Sequence, residues 1–319
     1  MTTTMTHGRR VLRAMATDLA EAYRGGSAVE RTCYRVAALL LVSGVVHLGV
    51  LLATGGQWSG PLSWRKPATF GLSFGLTLAT LTWVLSFVPM RARTRSRLLV
   101  IFAAACAVEV AGITMQAWRR VPSHFIPPES ATAADVVAAA SAALGAVAIV
   151  GVITTATVVA LRRHEELPPS MRLALRVGFL SLMVALAIGV LMMARGTVLT
   201  RVQGDVAQAF AFTAGLKPAH AATMHGVLVL PALAWSLRYA ERSERFRLAV
   251  IRLASCGYGA FASVVVVAVL FGGDPTGGVP AVLEGTGFLA LLAAGAVAIR
   301  AIATPRPTTW NVFQRRGRG

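Results

Sequence analysis

Charged residues are scarce in this chain, and their scarcity is the first constraint on its class. Only 14% of the 319 residues are Asp, Glu, Lys or Arg, whereas a soluble domain carries about 25%. An apolar content of 55% and a mean hydropathy of +0.65 argue against a disordered chain and a soluble globular enzyme. The three cysteines, Cys33, Cys106 and Cys256, form no CxxC pair, which argues against a disulfide scaffold or a cysteine metal motif.

Lysine is almost absent, although the chain is strongly basic. Two lysines accompany 29 arginines, and the net charge is +18. The basic residues occupy short segments between long apolar runs and form no continuous face, so we expect no nucleic-acid partner. This composition is typical of a polytopic membrane protein whose surroundings are a lipid bilayer.

Eight apolar runs are long enough to cross a membrane, which takes about 20 mostly apolar residues. They are residues 34–53, 67–89, 98–118, 133–161, 172–194, 218–240, 248–271 and 281–303. The sequence therefore predicts an all-α integral membrane protein with eight transmembrane helices.

The distribution of Lys and Arg predicts the orientation. The segments on the side of the N-terminus hold 24 of these residues and the opposite segments hold seven. Because basic residues concentrate in cytoplasmic loops, both termini are predicted to be cytoplasmic, in the cytoplasmic (plasma) membrane. Residues 1–33 are predicted to form a cytoplasmic amphipathic segment on anionic lipid, which Gly25-Gly26 interrupts. Residues 304–319 are predicted to be a basic, disordered cytoplasmic tail.

The chain resembles itself at an offset of about 150 residues. Four matches occur in the same order: GVL at 49 and 189, KPA at 66 and 217, RLxVIxxAxC at 97 and 247, and GAVAI at 145 and 295. We therefore predict two tandem four-helix halves, 34–161 and 172–303. An even number of helices in each half relates them as a parallel repeat, by a pseudo-two-fold axis along the membrane normal.

The two lysines occupy equivalent places in this repeat. Lys66 and Lys217 each precede a proline at the expected first position of a helix. Both helix N-termini would face outward, where free N–H groups and a nearby cation suit an anion. Alternatively, each lysine anchors a helix end at the membrane interface.

Ionisable residues inside predicted spans are candidates for a functional site, because burying them in lipid is costly. Glu109 lies about 14 Å inside the third span and is a candidate ligand or proton carrier. His47 and His225 lie at similar depths, about 9 and 12 Å from the outer end. His220 is nearer the outer end, and His124 lies in an outer loop.

One hypothesis is a haem b or metal site that opens to the extracytoplasmic side and transfers electrons, with quinol as a candidate partner. His47 and His225 would be the axial pair, and Glu109 would carry protons. The side chains expected to hold the cofactor and its propionates at the rim are Trp64, Arg65, Lys66, Arg119 and Lys217.

Two alternatives remain open, and with them the question of whether the chain is an enzyme. A metal-dependent membrane hydrolase would use zinc held by His220, His124 and either Glu109 or Asp205. A transporter of an anionic or lipidic substrate fits the parallel repeat. Against transport, the candidate residues all lie in the outer half of the predicted bundle.

Three segments carry a family resemblance: residues 60–67 (GPLSWRKP) with 70–73 (FGLS), 109–125 (EVAGITMQAWRRVPSHF) and 216–235 (LKPAHAATMHGVLVLPALAW). Their motifs are W-R-K-P, E-x6-Q-A-W-R-x-x-P-S-H-F and K-P-A-H-x4-H. In these motifs the chain resembles a family of bacterial multi-pass membrane proteins found often in high-GC Gram-positive organisms. The resemblance implies a multi-pass membrane fold and brings no established activity. Ile126 stands where the family pattern has Asn.

Overall fold

The computed structural model describes residues 2–58, 60, 62–162, 164–272 and 278–304, and this part of the chain is all-helical. Ten α-helices occur in it: α1 (Thr2–Arg24), α2 (Ala28–Ala53), α3 (Arg65–Leu85), α4 (Ala92–Trp118), α5 (Ala133–Leu161), α6 (Pro169–Arg201), α7 (Val206–Met224), α8 (Gly226–Ser236), α9 (Glu244–Leu270) and α10 (Gly278–Ala303). Short 3-10 turns follow at Pro128–Ser130 and Leu237–Tyr239. The predicted tail lies outside the described residues, except for Thr304.

Eight helical segments of the described chain are long and apolar enough to cross a membrane. They are α2, α3, α4, α5, α6, α7 together with α8, α9 and α10. Large apolar side chains on their outer faces are exposed, among them Leu39, Val137, Leu144 and Ile299. Such a surface is suited to lipid and not to water. The prediction of a helical multi-pass membrane protein with eight spans is confirmed.

Local polar signals set where several spans begin. The Ser27 hydroxyl accepts a hydrogen bond from the Glu30 N–H, and the Glu30 carboxylate accepts one from the Ser27 N–H. This capping box satisfies N–H groups that have no partner inside the helix. It starts α2 at Ala28, six residues before the predicted span.

The N-terminal helix α1 divides its apolar residues between the bundle and the surface. Val11 is buried and Met15 packs on the main core, whereas Leu12 and Leu19 are exposed. A hydrogen bond from His7 Nε2 to the Ile302 carbonyl oxygen (3.1 Å) joins α1 to the end of α10. The amphipathic segment therefore packs partly against the helical bundle of the same chain.

The sixth span starts earlier than its sequence predicts. Helix α7 begins at Val206, capped by the Asp205 side chain on the Gln208 N–H (2.8 Å), and Pro218 lies inside it. The prediction that Lys217 stands at a helix N-terminus is wrong, because apolar burial of the preceding turns outweighs the cost of an interior proline, about 3 kcal/mol. Lys66, in contrast, does lie in the first turn of α3.

The sixth span is interrupted at His225, between α7 and α8. Side chains of neighbouring helices donate hydrogen bonds to backbone carbonyl oxygens next to the interruption. The Tyr258 hydroxyl donates to the Ala222 carbonyl oxygen, and the Ser181 hydroxyl donates to that of Thr223 (2.6 Å). Irregular backbone at membrane depth requires such partners, since no water is present to supply them. The helix break is therefore stabilised by hydrogen bonds from α6 and α9.

Close glycine contacts hold α2 against α3 and so position the start of α3. A Cβ at Gly71 would lie 2.7 Å from the Gly44 backbone, and one at Gly75 would lie 2.8 Å from the Ala37 carbonyl oxygen. Only small residues allow helix backbones to approach this closely. Further along the bundle, Leu78, Phe102 and Phe179 are fully buried in the main core.

Candidate functional site

Residues 119–132, which connect α4 to α5, cross the end of the bundle where α3 begins; we call them the 119–132 segment. Two of its residues have left-handed backbone angles, Arg120 at φ 58° and Phe125 at φ 61°. Such angles cost of order 1–3 kcal/mol each in residues other than glycine, and they persist only when neighbours impose them.

Contacts with both halves of the bundle impose this backbone. The Arg120 guanidinium lies 5.3 Å from the centre of the Trp64 ring. The Phe125 ring packs directly on Gly196 of α6, where a side chain would collide with it. It also meets Phe210 of α7 edge to face, with ring centres 5.4 Å apart. The segment is therefore fastened across the end of the bundle.

A charged network fastens the base of the segment. Arg119 pairs with Asp135 (2.7 Å) and donates to the Gln116 side-chain oxygen (2.5 Å), while Gln116 donates to Asp135 (2.9 Å). Thr132 also donates to Asp135 (2.6 Å). Arg119, expected at the rim of a cofactor site, is thus already paired with the buried carboxylate of Asp135. Sequence reasoning missed Asp135, although its spacing from Thr132 is that of a capping box.

His47 is buried and both of its ring nitrogens are engaged. Nδ1 lies 2.7 Å from the Ser43 carbonyl oxygen, and Nε2 accepts a hydrogen bond from the Trp118 indole (3.2 Å). The His47 ring also stacks near Trp64, with ring centres 6.1 Å apart. These contacts describe a satisfied histidine of an aromatic cluster.

Glu109 and His124, which the hydrolase hypothesis places in one metal site, are brought together. His124 Nε2 lies 3.7 Å from a Glu109 carboxylate oxygen, and the two side chains are 17% and 11% exposed. On its other side, His124 Nδ1 lies 2.9 Å from the Ser123 hydroxyl. These three side chains line one cleft between α4, α5 and the 119–132 segment, with room for about one ordered water molecule.

Lys66 lines a second cleft, beside the first. Its ammonium nitrogen is buried without a hydrogen-bond partner and lies 4.6 Å from the centre of the Phe210 ring. Ser123 lines both clefts, and the walls around Lys66 are the apolar side chains of Leu62, Ile113, Ala117 and Val121. Trp64, which is 5% exposed, likewise has an indole N–H without a partner.

Two further cations add positive charge to the electrostatic environment of Lys66: Arg65 on the same helix and Lys217 on α7. Arg65 donates to the Trp58 carbonyl oxygen (2.9 Å), and Lys217 is exposed. In the described part of the chain, no carboxylate pairs with any of the three. The group is an uncompensated cluster of positive charge.

The residues proposed for a three-ligand metal site are not assembled. His220 Nδ1 lies 2.8 Å from the Ala185 carbonyl oxygen, apart from the Glu109–His124 pair, and Asp205 caps α7. Among the described residues, no three His, Cys, Asp or Glu side chains come close enough to share a metal ion. Of the predicted set, the structure joins only Glu109 with His124.

The predicted haem pair does not fit the geometry either. His47 has no free ring nitrogen, and His225 is exposed with Nδ1 against the Ala221 carbonyl oxygen (2.7 Å). Within the described residues, no hydrogen bond or ring contact joins the two histidines. The two clefts described above each have room for about one water molecule, far less than a porphyrin needs. Haem b therefore stays a prediction without geometric support.

Comparison of the chain with protein-family models, with curated proteins and with solved structures gives no match. The family resemblance drawn from the three motifs stays a prediction. The function is therefore inferred from the side chains at the 119–132 segment.

Proposed function

We propose that this protein binds an anionic amphiphile, a molecule with a negatively charged group on an apolar chain, at the cleft beside Lys66. The observation that carries the proposal is the buried Lys66 ammonium group, which has no hydrogen-bond partner. An unpaired cation in an apolar site is costly, and an anion that accepts hydrogen bonds from it removes that cost.

Charge and shape around Lys66 favour an anion. Arg65 and Lys217 add positive charge nearby, and in a site of low dielectric this potential acts strongly on an anion. The Phe210 ring offers Lys66 a cation–π contact of 4.6 Å, which gives partial compensation without a counter-ion. The apolar walls around it suit a hydrocarbon chain beside the charged group.

The same geometry favours binding at one end of the bundle over a transport pathway. Beyond the site the core is filled by fully buried Leu78, Leu81 and Phe102. Two buried threonines there, Thr82 and Thr157, donate to carbonyl oxygens of their own helices (2.7 Å each) and so have no O–H donor left for an anionic substrate. A transport route would need polar partners along this path.

The finer topology belongs to this proposal as well. We place both termini in the cytoplasm and the 119–132 segment outside the plasma membrane, as the distribution of basic residues indicates. One feature supports the tandem repeat: Gly75 and Gly226, nine residues after the two lysines, both lie at close helix contacts. A Cβ at Gly75 would lie 2.8 Å from the Ala37 carbonyl oxygen of α2, and one at Gly226 would lie 2.8 Å from the Tyr258 ring of α9 and 3.1 Å from Ser181 of α6.

The test measures binding of dodecyl phosphate to the full chain in nanodiscs of neutral lipid. The variants are K66Q and R195Q; Arg195 is an exposed cation one residue before Gly196 and serves as the matched control. We expect K66Q to weaken binding at least about tenfold, because a hydrogen bond to a charged group contributes about 1.5–3 kcal/mol. R195Q should bind as the wild type does.

Two further ligands define the chemistry that is bound. Inorganic phosphate should bind far more weakly than dodecyl phosphate if the apolar walls contribute, and dodecyl maltoside should not compete if the negative charge is required. Equal effects of K66Q and R195Q, or equal binding of the charged and uncharged amphiphiles, would overturn the proposal.

A further inference from the structure

Ser123, His124 and Glu109 form a linear set of side chains that the binding proposal leaves unused. The Ser123 hydroxyl lies 2.9 Å from His124 Nδ1, and His124 Nε2 faces the Glu109 carboxylate at 3.7 Å. A hydroxyl beside an imidazole that a carboxylate orients is the arrangement of nucleophilic hydrolases, recognised by geometry and not by sequence position. The order of the two ring nitrogens does not alter this logic, because either nitrogen accepts a proton when the other carries one.

The backbone and the contact distances around Ser123, His124 and Glu109 have features typical of functional sites. The 3.7 Å separation leaves a weak contact, of the kind that often shortens when substrate binds. The next residue, Phe125, has a left-handed backbone, and Arg120 has one three residues before Ser123. Strain of this size concentrates at functional sites. Helix α5 also approaches through Gly145, where a Cβ would lie 3.9 Å from the second Glu109 oxygen.

Ser123 links this set to Lys66. It lines the cleft of Glu109 and His124 and also the cleft of Lys66. The unpartnered ammonium of Lys66 therefore lines the same cleft as Ser123, where it could stabilise an anionic group of a substrate or the negative oxygen of a tetrahedral intermediate.

We propose that Ser123 is the nucleophile of an esterase that acts on carboxylic esters of anionic amphiphiles; the anionic part of this substrate class rests on the binding function proposed above. Ser123 Oγ forms a bond to the ester carbonyl carbon while its proton passes to His124 Nδ1. The tetrahedral intermediate breaks its bond to the alkoxy oxygen, and the alcohol leaves with the proton from His124. Water then attacks the acyl-Ser123 ester through the same base, releasing the carboxylic acid and restoring the hydroxyl. Glu109 is a positioning residue, which holds His124 in the required tautomer.

Access to the hydroxyl requires movement of the 119–132 segment, because both clefts are small in the closed arrangement. The Phe125 ring on Gly196 and Phe210 is one of the contacts that hold the segment in place, and its release would allow such a movement.

The experiment treats the full chain in nanodiscs with an alkyl fluorophosphonate, which forms a Ser Oγ–P bond and releases fluoride when a serine is activated. Mass spectrometry locates the adduct and gives its rate. We expect an adduct on Ser123 that is absent in S123A. We expect H124Q to lower the rate by about 100-fold or more, the usual contribution of a general base. S141A is the matched control, since Ser141 lines the same cleft but donates only to the Ala138 carbonyl oxygen (2.9 Å).

The labelling rates of two further variants, E109Q and E109D, test the role of Glu109. E109Q keeps the shape of the side chain but loses its charge, and should slow labelling, whereas E109D should recover part of the rate. A purely structural role would give the reverse order, since Gln matches Glu in size. Helix content and monodispersity of each variant separate a chemical loss from a folding loss.

The outcomes distinguish this inference from the binding proposal. Labelling that needs Ser123 and His124 supports the esterase, and loss of dodecyl phosphate binding in K66Q tests the anionic substrate separately. A wild-type protein that gives no adduct, or labelling of H124Q at the wild-type rate, overturns the esterase and leaves the binding proposal standing. Labelling without binding of dodecyl phosphate overturns the anionic substrate class alone.

Discussion

Replacing Gly71 with alanine tests the helix contact on which the position of Lys66 depends. A Cβ at Gly71 would lie 2.7 Å from the Cα and N of Gly44 and 2.8 Å from the Leu40 carbonyl oxygen. All three atoms belong to the backbone of α2, so no side-chain rotation can remove the collision. The two helices must separate instead.

The size of the effect follows from these distances. Ordinary contact between carbon atoms is about 3.5–4.0 Å, so the helices must retreat by nearly 1 Å at this point. Overpacking of this kind costs about 1–3 kcal/mol, while alanine gains about 0.8–1.0 kcal/mol over glycine inside a helix. We therefore expect G71A to lower the free energy of unfolding by up to about 2 kcal/mol.

Gly49 provides the matched control on the same contact helix. It lies on α2, and a Cβ there would meet nothing within 4 Å. G49A should therefore show only the propensity gain, up to about 1 kcal/mol. The difference between the two variants isolates the collision between α2 and α3.

The assay is unfolding of the full chain in mixed detergent micelles, followed by helix content. Because α3 carries Lys66 in its first turn, G71A should also weaken dodecyl phosphate binding, whereas G49A should not. If G71A and G49A unfold at the same denaturant concentration, the close packing of α2 on α3 is refuted.

Three further variants test the contacts around the 119–132 segment. G196A should expel the Phe125 ring, because the added Cβ would collide with it. It should raise protease cleavage of the 119–132 segment and speed fluorophosphonate labelling. Unchanged cleavage would show that the contact between Phe125 and Gly196 does not hold the segment in place. W118F should destabilise the protein by about 1–3 kcal/mol, because His47 Nε2 loses its donor in a buried site; a neutral effect in thermal unfolding would show that this hydrogen bond is dispensable. D135A should cost about 1–3 kcal/mol, because the buried Gln116 amide loses its acceptor and Arg119 loses its ion-pair partner, and wild-type thermal stability would refute the network.

Sequence reasoning identified several residues of the candidate site without their arrangement. Glu109 was singled out by its depth in a span and His124 by its loop, and the structure joins them at 3.7 Å. Ser123 and Phe125 were visible only as neighbours of His124 in a motif. Their importance comes from the left-handed backbone of the segment and from Gly196 on a distant helix, which no local pattern reports.

The start of the sixth span shows where a local signal misleads. A proline usually marks the first turn of a helix, and Lys217-Pro218 therefore predicts a helix start. The residues before it are nearly as apolar as those after it, and Ala209, Thr213 and Leu216 are buried against the bundle. Packing against other helices therefore makes α7 begin about three turns before the proline, at Val206.

The class of the protein, the number of spans and the break after α1 could be predicted from local composition, because a run of about 20 apolar residues is stable in lipid as a helix whatever surrounds it. The three-dimensional arrangement was needed to show which faces of the helices meet and that His47 is a satisfied core residue. It was also needed to show that Ser123, His124, Glu109 and Lys66 share one end of the bundle. The rotation of each helix and the path of the 119–132 segment depend on packing between residues far apart in the chain, and a one-dimensional pattern does not contain that information.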